Sequence, residues 1–227
     1  MKRRVALLDL WRFVALCLML CYHLLWDLEH FGALPPGIST RPWALVLRYV
    51  CGGSFILISG AAVGHSGDPA RRGATVLAAA LLVSVVTTLL GMPVRFGVLH
   101  LLGCCMLLYA LPPVRRAIRP GPGFAGLCLA LFGLTALLAY RIRVDITWMY
   151  PLGLRVPGFY SADYWPLLPW AFLFSLGTWL GPALERLRQP RLPGWLAFFS
   201  RHSLAVYLLH QPLLYGLCWI SFTTKNI

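Results

Sequence analysis

Seven stretches of this chain are long and apolar enough to cross a lipid bilayer, near residues 5–26, 43–64, 74–92, 97–111, 122–140, 164–182 and 196–222. A span takes about 20 such residues, because a helix rises about 1.5 Å per residue and the hydrocarbon core is about 30 Å thick. Lipid offers no partner to backbone N–H and C=O groups, so only helices and closed barrels span it. Continuous apolar runs select the helix. The chain therefore reads as an all-α, polytopic transmembrane bundle of about seven spans, with residues 1–227 as a single domain. Composition points the same way: 59% of the 227 residues are hydrophobic and 12% are charged, against about 25% charged in a soluble domain.

The formal net charge is +13. Its distribution excludes a nucleic-acid-binding face, since no basic stripe is interleaved with exposed aromatics. Instead, the charges sit at the ends of the apolar runs. Lys2, Arg3, Arg4, Arg71, Arg72, Arg115, Arg116, Arg119, Arg186, Arg188 and Arg191 fall on one side of the predicted membrane. Arg41, Arg95, Arg141, Arg143, Arg155 and Lys225 fall on the other. The excess marks the cytoplasmic side, which places the N-terminus inside and the C-terminus outside. The first run is too long, too charged and too poor in small residues at its end for a cleaved signal peptide, so it reads as a retained anchor. The seven cysteines all lie within apolar runs, without CxxC or Cys/His ligand spacing. They read as reduced thiols packed among helices, with no metal.

Polar residues inside these runs carry the functional signal, because a charge in a membrane span costs at least a few kcal/mol. The first run holds Asp9, Arg12, His23 and Asp27. Arg12 and His23 stand about 16 Å apart along a helix, so one helix offers a cation near one membrane face and an imidazole near the other. With the predicted topology, Asp9, Arg12, Arg201 and His202 form a cytoplasmic layer. His23, Asp27, Arg48, His100, Asp163 and His210 form an outer one. Two layers on opposite faces suggest a site reached from both sides.

Plainer readings stand beside these. Asp9 and Arg12, at i and i+3, pair on one helix face as readily as they bind a ligand. Asp27, four residues after His23, is placed to orient it as a base, whereas both also suit an interfacial belt. His100 serves equally as a hydrogen bond between helices. Arg201 and His202 suit a helix end reaching toward headgroups. His30 and His65 fall in predicted loops. Asp163-Tyr-Trp-Pro-Leu-Leu-Pro-Trp170 reads as a rigid start to the sixth span, with Asp163 a candidate for binding an acceptor.

Leu8-Asp-Leu-Trp-Arg-Phe13, the Met19–Asp27 stretch, Arg95-Phe-Gly-Val-Leu-His100, Asp163–Trp170 and Ser203-Leu-Ala-Val-Tyr-Leu-Leu-His-Gln-Pro212 together resemble the catalytic domain of the heparan-α-glucosaminide N-acetyltransferase family, in a short bacterial form. The resemblance runs the length of the chain. The spacing of Arg12 and His23 is also similar to the first-helix motif of the bacterial membrane O-acyltransferases. The resemblance implies a multi-pass acyltransferase of the bacterial cytoplasmic membrane. Such an enzyme takes an acetyl group from cytosolic acetyl-CoA and delivers it to a glycan or amino-sugar acceptor outside. It implies catalytic roles for His23 or His30, with Asp27 and His100. Asp9, Arg12, Arg201 and His202 would then lie near the donor, and Arg48, Asp163 and His210 near the acceptor. A thioester donor carries its own activation and calls for no metal. A small transporter or flippase, and a non-catalytic membrane subunit, are the competing readings.

Overall fold

The computed structural model describes residues 5–142, 144, 146–154 and 157–223. Lys2, Arg3, Arg4, Arg143, Arg155 and Lys225, which entered the charge asymmetry, lie outside the described residues. The chain is all-helical: α1 Ala6–His30, α2 Pro42–Val63, α3 Pro69–Leu89, α4 Val98–Ala110, α5 Pro112–Ala117, α6 Pro122–Arg141, α7 Leu167–Arg186, α8 Gly194–Arg201 and α9 Ser203–Thr223, with 3-10 turns at Ile38–Thr40 and Thr147–Leu152. Six of these are long and apolar enough to cross a membrane, and α4 is a shorter apolar helix. This is a multi-pass membrane protein. Its contacts group into two units, residues 5–55 with 189–223, and residues 56–188.

In the first unit, α1 packs against α8, α9 and the turn Ile38–Thr40. Leu8, Asp9, Ala15, Leu16, Met19 and Asp27 are its buried residues, a stripe whose steps follow the helical period. Leu16 and Met19 meet Cys51 of α2 in a core that Leu18, Phe55, Val206 and Tyr207 surround. Buried Asp9 lies on one side of this core along α1, and buried Asp27 on the other. The loop after α1 is fastened by Glu29, whose carboxylate accepts from the backbone N–H of Gly37 at 2.5 Å and of Ser39 at 2.8 Å. Gly37 takes the left-handed conformation, φ 82°, that this tight return requires.

The last apolar run departs from the expected single span of 196–222. It is broken at His202 into α8 and α9. The carbonyls at the end of α8 are engaged by side chains: Arg201 Nε donates to Ala197 O at 3.2 Å, and His202 Nδ1 bonds to Phe198 O at 2.9 Å. Basic side chains commonly bond the last carbonyls of a helix, here beside the backbone bond from His202 N–H to Phe198 O at 3.1 Å. The break turns Leu196 and Ser200 of α8 inward, while Trp195 and Phe199 pack on Phe13 of α1.

In the second unit, α3 packs on α4, α6 on α7, and α4 on α7. Asp68 caps α3, accepting from Arg71 N–H at 2.9 Å, which starts this helix earlier than the expected 74. Proline opens α3, α5 and α6, where a missing N–H costs nothing. Gly60 of α2 and Gly177 of α7 let the backbones touch: a Cβ on Gly60 would collide with the carbonyl of Phe174, and one on Gly177 with that of Leu57. The extended residues before α4 join the segment before α7, with Trp165 N–H donating to Phe96 O at 2.9 Å and Ala162 N–H to Pro93 O at 3.0 Å.

Candidate functional site

The first unit holds two polar clusters on α1. The inner one is Asp9, Arg12 and Ser200. Ser200 Oγ donates to Asp9 Oδ1 at 2.6 Å and accepts from Arg12 Nη1 at 3.0 Å, while Arg12 Nη1 also reaches Asp9 Oδ1 at 3.3 Å. Ser200 is 1% exposed. The helical pair expected from sequence is thus completed by a hydroxyl from α8. Leu7 N–H, an orphan donor of the first turn of α1, is taken up by Gln189 Oε1 at 3.1 Å. Arg201 and His202, expected in the same layer, are exposed and bond to carbonyls of α8.

The outer cluster joins α1 to α9. Asp27 is fully buried, and its Oδ1 accepts from Gln211 Nε2 at 2.8 Å. Asp27 takes this bond from Gln211, not from His23. The ring of His23 packs edge-on against that of His210, centroids 4.6 Å apart, and lies within electrostatic reach of Arg48. His210 Nδ1 meets the carbonyl of Tyr207 at 2.5 Å. His30 ends α1 instead of lying in a loop. It stacks on Trp26 at 5.2 Å and meets Tyr215 Oη through Nε2 at 3.3 Å.

Three buried atoms of this cluster, Asp27 Oδ2, His210 Nε2 and Gln211 Oε1, have no hydrogen-bond partner among the described residues. Buried polar atoms are rarely left so. All three are acceptors. Gln211 spends an N–H on Asp27, which leaves its oxygen. Tyr207's carbonyl only accepts, so His210 carries its hydrogen on Nδ1 and a lone pair on Nε2. A donor-rich group is the complement of such a cradle.

His100 and Asp163 belong to the other unit, where they hold the start of α4. His100 Nδ1 accepts from Gly97 N–H at 3.2 Å, and its Nε2 meets Ser84 Oγ at 3.1 Å. Asp163 Oδ2 accepts from Val98 N–H at 3.1 Å and Oδ1 from Trp165 Nε1 at 2.6 Å. An acid facing the free N–H groups of a helix start satisfies them and complements the helix dipole. Both ring nitrogens of His100 and both carboxylate oxygens of Asp163 have protein partners.

The sequence matches the family described as heparan-alpha-glucosaminide N-acetyltransferase, catalytic, over residues 4–212. The chain belongs to this family. No curated protein and no solved structure matches it. The matched region takes in both polar clusters of the first unit, ending one residue after Gln211. Gln211, Ser200 and Tyr215 were not singled out by reasoning from sequence. Gln211 and Ser200 carried a readable signal, as polar side chains within an apolar run. All seven cysteines are free.

Proposed function

We propose that this member of the family is a transmembrane acetyltransferase. It moves an acetyl group from cytosolic acetyl-CoA to an amine-bearing sugar or glycan on the outer side of a bacterial cytoplasmic membrane. The outer cluster supports the reading: Asp27, His210 and Gln211 each hold a buried acceptor atom without a partner among the described residues, and His210 packs against His23. An ammonium group has N–H donors and nothing else, which complements acceptor atoms better than a hydroxyl with its single O–H. The negative charge of Asp27 suits a cation in a dry setting. On the donor side, the family's acetyl transfer draws on CoA, whose phosphates suit arginine. Arg12 is held in place there by Asp9 and Ser200, and Arg201 and His202 are exposed beyond it. His23 is the proposed catalytic histidine, with Arg48 near it. His100 and Asp163 serve by positioning α4.

The test is CoA release by purified protein in detergent with acetyl-CoA and glucosamine, wild type beside His23→Ala. Acceptor-dependent release that the substitution abolishes, in protein that still elutes as a folded species, supports the assignment. A wild type that neither binds nor turns over acetyl-CoA overturns it in favour of transport.

A further inference from the structure

We propose that α8 is seated on the lipid of the membrane face where the arginine excess falls, with Arg191 and Arg201 binding anionic phospholipid headgroups there. The helix has two faces. Trp195, Phe198 and Phe199, at i, i+3 and i+4, share one and are 56, 51 and 42% exposed. Leu196 and Ser200, at i and i+4, are buried on the other. Three exposed rings on eight residues are costly in water. They are normal at a membrane surface, where an amphipathic helix lays its aromatic face against the acyl boundary.

Depth decides between lipid and cytosol. Trp195 and Phe199 both meet Phe13 of α1, ring centroids 5.3 and 6.3 Å apart, and Ser200 meets Asp9 and Arg12. These contacts fall on residues 9–13 of α1, a helix apolar enough to span from Ala6 onward. Both ends of α8 thus meet little more than one turn of α1. The short helix lies across α1, not along it, at the level where a span enters the headgroup layer. Ser203 then begins α9, itself long and apolar enough to cross.

Charge selects the lipid. Arg186, Arg188, Arg191, Arg201 and His202 are all exposed, and the sequence holds no acidic residue after Glu185. Basic clusters beside a span attract anionic headgroups, and guanidinium bonds phosphate in a bidentate way. Arg191 precedes α8 and Arg201 ends it, so the two bracket the aromatic face. Arg12, held on the inner side by Asp9 and Ser200, is a separate cation. Lipid and the proposed donor therefore draw on different arginines.

The first measurement is native mass spectrometry of the full chain in detergent, with equal amounts of phosphatidylglycerol and phosphatidylcholine. Wild type should retain phosphatidylglycerol in preference. Arg191→Gln/Arg201→Gln should lose at least about fivefold of that preference, the scale of one basic residue at an anionic surface, and Arg191→Lys/Arg201→Lys should keep it. Equal retention of the two lipids by wild type overturns the proposal. So does a preference that survives the glutamine pair while acetyl-CoA binding weakens, which gives these arginines to the donor. The second measurement follows Trp195 in mixed vesicles of the same two lipids, as the fluorescence lost on Trp195→Phe. Brominated acyl chains should quench it, and aqueous iodide should not. Quenching by iodide alone puts α8 in water and overturns the proposal, whether or not the arginine variants fold.

Discussion

Gln211 on α9 donates to the buried carboxylate of Asp27 on α1 at 2.8 Å, across 184 residues of chain. With the contact of His30 Nε2 and Tyr215 Oη at 3.3 Å, it ties these two helices together at the outer cluster. Removing its donor leaves a fully buried carboxylate with no partner among the described residues. Gln211→Leu should therefore destabilise the protein by about 2–3 kcal/mol, the cost of stranding a buried, charged acceptor. Asp27→Asn in that background should recover part of the loss, because a neutral amide is cheaper to bury. Thermal unfolding of the two variants in one detergent checks both. Equal stability of Gln211→Leu and wild type would show that the bond carries no net weight.

Ser200 closes the inner cluster, donating a hydrogen bond to Asp9 and accepting one from Arg12. Ser200→Ala loses both bonds, with an expected cost of about 1–3 kcal/mol. The change also frees Arg12 to move. If Arg12 meets the phosphates of the donor, Ser200→Ala raises the KM for acetyl-CoA while leaving that for the acceptor alone. Initial-rate measurements with each substrate varied in turn separate the two.

What sequence revealed of this fold follows from range. Helices announce themselves locally, through the length and hydropathy of each run, and the short α4 was visible as the weakest of seven. The pairing of Asp9 with Arg12 was readable because three residues separate them. Ser200 joins that pair from 191 residues away, and no periodicity encodes such a meeting. His23 and Asp27 stood out as costly residues in a span. Their partners, His210 and Gln211, depend on how α1 lies against α9, which the pattern of a single helix does not contain. The break at His202 was hidden for a related reason: hydropathy runs through it. Asp163 and His100 looked functional because polar residues near membrane spans usually are. Their role at the start of α4 arises from a loop contact between Phe96 and Trp165.

The approach of α2 to α7 predicts a steric effect. Cβ atoms at Gly60, Gly177 and Gly181 would each strike a carbonyl oxygen of the facing helix, those of Phe174, Leu57 and Ala61. Backbone cannot swing aside as a long side chain does. Gly→Ala at an unencumbered helix position stabilises by about 1 kcal/mol. At Gly60 or Gly177 it should instead destabilise by about 1–3 kcal/mol, the range for overpacking. Gly126, with nothing near its absent Cβ, is the control. Unfolding midpoints of Gly60→Ala, Gly177→Ala and Gly126→Ala should fall, fall and rise.

Tyr164, in the loop before α7, gives a dependence on alkaline pH. Its phenol donates to Tyr150 O at 2.6 Å. Burial first, and the neighbouring Tyr150 second, push its pKa up from the usual 10 to about 12. The folded state thus holds the proton more tightly than the unfolded one. Stability from this group is fully present below pH 10, falls as the unfolded chain begins to ionise, and is lost as pH rises through about 12. Tyr164→Phe removes both the hydrogen bond and the titration. It should cost about 1 kcal/mol at neutral pH, and the gap to wild type should narrow between pH 10 and 12. Unfolding measured at pH 8, 10 and 11.5 follows that gap. A constant difference across the three would show that Tyr164 titrates alike in both states.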